Sequence, residues 1–161
     1  MDINELENNI VRDLAVELAD EFDQNFERKA FFDEKWPAAK LTNPRGSLLM
    51  RSGNYRRSIE YNVNDEIYFS SSLPYASLHN EGGEITVTEK MKRYFWAMHK
   101  NTKGTEAQQY KALALMKVGH VIRVPKRQVV GDHPEVGKIV ERIVNDNIEQ
   151  FNQELKKLFE Q

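Results

Sequence analysis

The residues best suited to chemistry gather in "YASLHNEGG", Tyr75 to Gly83, where a histidine precedes an amide, a carboxylate and two glycines. Imidazole beside carboxylate is the raw material of acid–base catalysis and of metal ligation. Neither pattern is completed. The histidines are His79, His99, His120 and His133; no pair has i, i+4 spacing on one helix, and there is no cysteine to complete a zinc site. Only a site assembled in three dimensions stays open. His79 is read as hydrogen-bonding the backbone of the turn that follows, and His133 as a polar residue in the first turn of the last helix.

Nucleophiles fare no better. Ser70, Ser71 and Ser72 lack the nucleophile-elbow pattern and the glycines of an oxyanion loop, so they read as sheet edge or loop. Gly82 and Gly83 stand without the lysine and helix start of a phosphate loop. The carboxylates fall on solvent faces of helices, where nothing tunes them for catalysis. Catalytic, metal-binding and cofactor-binding residues are therefore read as none, and no cofactor is expected. The missing cysteines also remove disulfides, and leave no redox evidence against a cytoplasmic origin.

Binding chemistry is better represented. In "RSGNYRRS", Arg51, Arg56 and Arg57 surround Tyr55, and an aromatic among cations suits single-stranded nucleic acid. The competing reading makes Gly53 a turn, Tyr55 a core contact and the arginines a solvated face. A net charge of −2 conceals segregation: residues 1–30 hold nine acidic and three basic residues, residues 89–130 two acidic and ten basic. Lys90, Lys92 and Arg93 open that basic stretch. Such a surface faces nucleic acid or an acidic protein, or else the chain's own acidic first helix or solvent.

The elements that position these residues follow from periodicity. Leu6, Ile10, Leu14, Leu18, Phe22 and Phe26 recur every four residues behind an Asp2–Glu5 capping box, predicting a helix over about residues 3–30. Val136, Ile139, Val140, Ile143, Val144, Ile148, Phe151, Leu155 and Leu158 predict a second long helix, with Asp132–Glu135 as its capping box and Pro134 in its first turn. Two such stripes need cover, from each other, from a sheet or from another subunit. Residues 31–50 read as irregular, punctuated by Pro37, Pro44 and Gly46, with Trp36 anchoring them to the core. Alternation at Ile59, Tyr61, Val63, Ile67 and Phe69 predicts a hairpin turning at Asn64–Asp65. "ITVT" at 85–88 and "HVIRV" at 120–124 complete an expected sheet of three or four strands. Between them lies a helical pair over about 89–118. Thr88 caps its first helix, a Thr105–Gln108 box opens its second, and "KNTKGTE" joins the two as the most mobile segment.

At 161 residues, with 40% apolar and 30% charged side chains, the chain has the balance of a single soluble domain with one core. No basic n-region leads into an apolar run, and no apolar run has the length of a membrane span. The fold class is α+β: long N- and C-terminal helices packed on a small, mainly antiparallel sheet with an inserted helical pair, all in one domain over 1–161.

Three motifs then stand in fixed order: "LMRSGNYRRSI", "YASLHNEGG" and "RVPKRQVVG". Together they resemble the phage virion morphogenesis, or tail-completion, family of Mu-like tailed phages. That family shows Leu–x–x–Thr/Ser–Gly–x–Leu–x–x–Ser, then Tyr–Ala–x–x–His–x–x–Gly–Gly, then Ile–Pro–Ala–Arg–Pro–Phe–Leu–Gly. Ser52, Gly53 and Ser58 match the first, with Tyr55 in place of leucine. Tyr75, Ala76, His79, Gly82 and Gly83 match the second. Pro125, Arg127 and Gly131 match the third, while Lys126, Gln128, Val129 and Val130 depart from it. The resemblance covers roughly residues 30–135, and the helical pair reads as an elaboration.

The resemblance implies a non-catalytic structural protein that completes the tail or joins head to tail at the neck. It implies a homo-oligomeric ring, other neck and tail proteins as partners, and no membrane. DNA contact is permitted but not required. The implied location is the virion, or the bacterial host cytoplasm during assembly. Within it Gly53, Tyr75, His79, Gly82, Gly83, Pro125, Arg127 and Gly131 would be fold markers or interface residues. Arg51, Arg56, Arg57, Lys90, Lys92 and Arg93 would face a partner. The alternative is a small nucleic-acid-binding protein or metal-dependent nuclease using Arg51, Arg56, Arg57 and His79.

Overall fold

A computed structural model describes residues 2–41, 46–64 and 66–159 of the chain. Its first helix, α1 (Ile3–Arg28), starts where the sequence predicts. Asp2 Oδ1 accepts from Glu5 N and Glu5 Oε2 from Asp2 N, both at 2.8 Å, so two orphan donors are satisfied together. The helix stops at Lys29, whose left-handed backbone (φ 54°) turns its N–H back to Asn25 O.

The last helix, α6 (Pro134–Phe159), lies antiparallel on α1. Arg142 meets Glu17, and Asn147 Nδ2 donates to Asp13 Oδ2 at 3.2 Å. Between them Leu18 and Phe22 bury against Ile139 and Ile143. The two stripes thus cover each other. The expected Asp132 cap is one residue too early: Pro134 takes the first helical position, and His133 Nδ1 accepts from Glu135 N at 3.2 Å. His133 therefore precedes the helix instead of lying in its first turn, stacked on Phe32 at 4.7 Å.

After α1 come β1 (Ala30–Phe31) and β2 (Glu34–Lys35), a minimal antiparallel pair inside the stretch expected to be irregular. Trp36 follows and is buried, as expected of an anchor. A short α2 (Asn54–Arg57) leads into β3 (Ile59–Val63), which pairs with β4 (Ile67–Ser71) in the register Tyr61↔Phe69. Phe69 sends its ring edge-on to Phe22 at 4.9 Å, seating this ribbon on α1. The expected breaks at Pro44 and Asp65 lie outside the described residues.

Then α3 (Ala76–Glu81) precedes β5 (Gly83–Thr86), which pairs with β6 (Val121–Val124). Between those strands stand α4 (Glu89–Asn101) and α5 (Gly104–Ala114), packed chiefly on each other. Thr88 Oγ1 caps α4 by accepting from Met91 N at 3.2 Å. The expected Thr105–Gln108 box is displaced: α5 begins at Gly104 after Lys103, with no side-chain cap. Helix takes over most of "KNTKGTE", leaving Thr102 and Lys103 as the link.

The fold is α+β, with the long helices at either end. The single sheet of three or four strands is replaced by three separate two-stranded ribbons. The reason is the segment after β4. It folds into α3 rather than extending, which carries β5 away from β4 before the two can pair. The first two ribbons then pack on α1, and β5 packs on α3.

Candidate functional site

The second and third motifs meet in one junction, built from α3 and the loop that follows β6. Asn80, near the end of α3, accepts at Oδ1 from Val129 N at 2.8 Å and from Val130 N at 3.0 Å. Its Nδ2 donates to Val130 O at 3.0 Å. A side-chain amide thereby replaces the strand partner this loop lacks. One residue earlier, His79 O accepts from Arg127 N at 2.8 Å. The chain leaves α3 through Gly82 at φ 76°, ψ 177°, a region open only to glycine. A Cβ at Gly82 would stand 2.8 Å from Lys126 N.

The loop is gripped from the other side as well. Asn25, fully buried in α1, donates from Nδ2 to Val129 O at 3.0 Å and accepts at Oδ1 from Phe32 N at 2.9 Å. Trp36 Nε1 donates to Gln128 O at 2.7 Å. Val129 itself is wholly buried with Phe26, Trp36, Tyr55 and Ala76.

Arg127 is 7% exposed, and its guanidinium bonds backbone carbonyls: Nε to Pro37 O at 2.9 Å, Nη2 to Ala38 O at 3.1 Å. Burial lowers its pKa. Its side chain is spent on the chain's own backbone. Pro125 is half-buried at the loop entrance, and Gly131 (φ 148°) ends the loop beside Gln128.

His79 does not do what its sequence context suggests. Its carbonyl ties the loop down, while ring Nδ1 is buried with no hydrogen-bond partner among the described residues. The ring sits 5.9 Å from Tyr55 and 5.8 Å from Tyr75. Burial first, then the charge of Arg127, holds its pKa below the usual 6.5. The turn-fixing bonds expected of it come from Asn80.

The first motif joins the same junction through Tyr55. This residue is buried, its hydroxyl donates to Ala76 O at 3.1 Å, and burial pushes its pKa up to about 12. Gly53 supplies the left-handed entry to α2, φ 69°. Ser58 Oγ bonds Tyr55 O at 2.8 Å and Ser71 Oγ at 2.7 Å, tying the motif to the ribbon.

The arginines of that motif do not form one free patch. Arg56 Nε donates to Asp23 Oδ1 at 2.6 Å, its Nη2 bonds Asp23 Oδ2 and its Nη1 bonds Glu27. Those bonds raise its pKa and neutralise part of the acidic helix. Arg51 pairs with Glu106 at 3.0 Å, and Arg57 bonds Ser52 O and Asn54 Oδ1. Lys90, Lys92 and Arg93 sit apart on α4.

Chemically, the junction clamps backbone. The cavity beside it, lined by Tyr55, Ser71, Ser77, Asn80 and Val130, holds about 160 Å³, below the range of small-molecule sites. Among the described residues no group of three or more His, Asp or Glu is placed to hold a metal, and no helix is long and apolar enough to cross a membrane. Asn80 and Asn25 are the residues that sequence reading missed. Asn25 had a signal, a polar residue between Phe22 and Phe26 on an apolar face. Comparison of the chain with protein-family models, with curated proteins and with solved structures finds no match.

Proposed function

We propose that this protein is a non-catalytic structural component of tailed-phage virion morphogenesis, completing the tail or joining it to the head at the neck. The observation that carries this reading is the junction. The three ordered motifs converge there, and Tyr55, Ala76, His79, Gly82 and Arg127 each have a packing, turn or hydrogen-bonding task. Tyr55 fills the core where the family has leucine, Gly82 admits Lys126, and His79 O receives Arg127 N.

Assembly into a ring needs one face to fit a different face of the next subunit. The chain leaves suitable surfaces uncovered. An open groove of about 810 Å³ runs between α1 and β3, floored by Val11, Ala15, Tyr61 and Val63. On α6, Val140 and Ile148 are exposed. The groove also carries Asn4, Glu7, Asn8, Arg12 and Asn64, so it is a mixed polar and apolar face. We assign the subunit contact to it and to the exposed apolar residues of α6, because Glu17, Glu21, Asp23 and Glu27 of α1 already pair within the chain.

Light scattering over a concentration series tests the assembly. Mass rising towards a ring supports it, and a strict monomer at the highest concentration overturns it. The reading frames on either side test the role: capsid and tail genes support it, and metabolic genes on both sides overturn it. The nucleic-acid or nuclease alternative through Arg51, Arg56, Arg57 and His79 gains nothing from this geometry, since Arg56 is engaged by two carboxylates and His79 is packed among tyrosines.

A further inference from the structure

We propose that the solvent face of α4 is a docking surface for single-stranded nucleic acid, with Lys92, Arg93 and Lys100 meeting phosphates and Trp96 stacking on a base. The inference rests on α4 itself and does not depend on the virion reading.

Helix α4 has two faces of different character. Met91, Phe95 and Met98 are half-buried, with the Phe95 ring 6.5 Å from Tyr110 of α5. On the other side Lys92, Trp96 and Lys100 recur at i, i+4 and i+8, which places them in one row, with Arg93 alongside. Lys92 is half-buried at the edge of that row, and Arg93, Trp96 and Lys100 are exposed. Trp96 is 37% exposed, although the helix already has an apolar face for burial. Its indole meets the His99 ring edge-on at 5.8 Å, and His99 Nδ1 is bonded to Ala107 O at 2.9 Å. The tryptophan is thus held in place from one side and left open on the other.

The charge around it is uncompensated. From Thr88 to Lys103 the only carboxylate is Glu89, against Lys90, Lys92, Arg93, Lys100 and Lys103. Among the described residues none of these five cations has an ion-pair partner, whereas Arg28, Arg51, Arg56, Arg123 and Arg142 each have one. The acids of α1 are largely occupied within their own chain. An acidic protein would satisfy the lysines and leave the indole without a partner. A single strand supplies both a line of phosphates and stackable bases.

The test titrates labelled oligothymidine with the full chain, read by anisotropy and by tryptophan quenching. Between about 50 and about 200 mM salt, three phosphate contacts predict a loss of roughly 20-fold in affinity for a single strand. Trp96→Ala weakens binding by about tenfold or more, and Lys92→Glu with Lys100→Glu abolishes it. Arg57→Ala leaves it unchanged. All four positions lie at or near the surface, and circular dichroism confirms that each variant is folded. No binding at low salt, binding indifferent to the charge reversals, polyglutamate binding as tightly as the strand, or duplex binding more tightly than the strand would each overturn the proposal.

Discussion

Asn80 holds Val129 by its backbone N–H at 2.8 Å, while the carbonyl of the same valine accepts from Asn25 at 3.0 Å. One loop residue is thereby gripped between α1 and α3, 104 and 49 positions away in the chain. The loop has no strand partner there, so these amides do the work of a ladder. Asn80→Ala removes three hydrogen bonds and leaves buried backbone groups unpaired, lowering stability by about 2–3 kcal/mol. Asn80→Asp keeps both acceptor bonds but turns a carboxylate oxygen towards Val130 O in a part-buried site, so it costs about 1 kcal/mol or more at neutral pH. Urea unfolding measures both; an alanine variant within about 0.5 kcal/mol of the parent would contradict the clamp.

Gly82 is required twice over, by its backbone conformation and by the approach of Lys126. Gly82→Ala is expected to cost about 2 kcal/mol or more, and to loosen the loop at 125–131. Hydrogen exchange gives the local readout. Protection at Arg127, Val129 and Val130 should fall before that of the α1–α6 pair.

Arg127 is paired with carbonyl dipoles rather than with a carboxylate. Lysine keeps the charge but cannot reach Pro37 O and Ala38 O with a planar fork. Arg127→Lys should therefore lose about 1–2 kcal/mol. Equal midpoints in thermal or urea unfolding would show that charge alone suffices.

His79 links the fold to pH. Its pKa is lowered by burial and by Arg127, so below the usual 6.5 the unfolded chain binds a proton that the folded chain refuses. Stability contributed by the neutral ring is complete above about pH 6.5 and falls as the pH drops from there towards the folded pKa. His79→Leu should flatten that part of the curve relative to the parent. Paired unfolding curves across mildly acidic pH decide it, and parallel slopes would remove His79 from the account. His79→Ala, which empties the space between Tyr55 and Tyr75, should lower stability with no catalytic activity lost.

Much of this architecture is visible in short-range pattern. The stripes of α1 and α6, the Asp2 and Thr88 caps, the Ile59–Ser71 hairpin and β6 follow from spacings of two, three or four residues, while β5 lies at Gly83–Thr86, two residues ahead of the expected 85–88. The errors arise where local signals compete. At the start of α6, Asp132 and His133 both offer a capping group, and Pro134 settles the choice by fitting only the first helical position. At α5, an available Thr105 is passed over because the helix begins two residues sooner, at Gly104.

Sequence alone determined the element types, the apolar faces and the segregation of charge, because each is set by neighbours within a turn or a pleat. Only the tertiary structure decided which of those surfaces are spent. Arg56, legible as a nucleic-acid cation, closes on Asp23 and Glu27, while exposed Lys100 and half-buried Lys92 share a row with Trp96 and have no ion-pair partner among the described residues. His79, legible as a reactive group, contributes its carbonyl, and Asn80 and Asn25 carry the junction. A side chain that bonds backbone 49 or 104 residues away leaves no periodic trace, since its partner is a peptide group that every residue possesses.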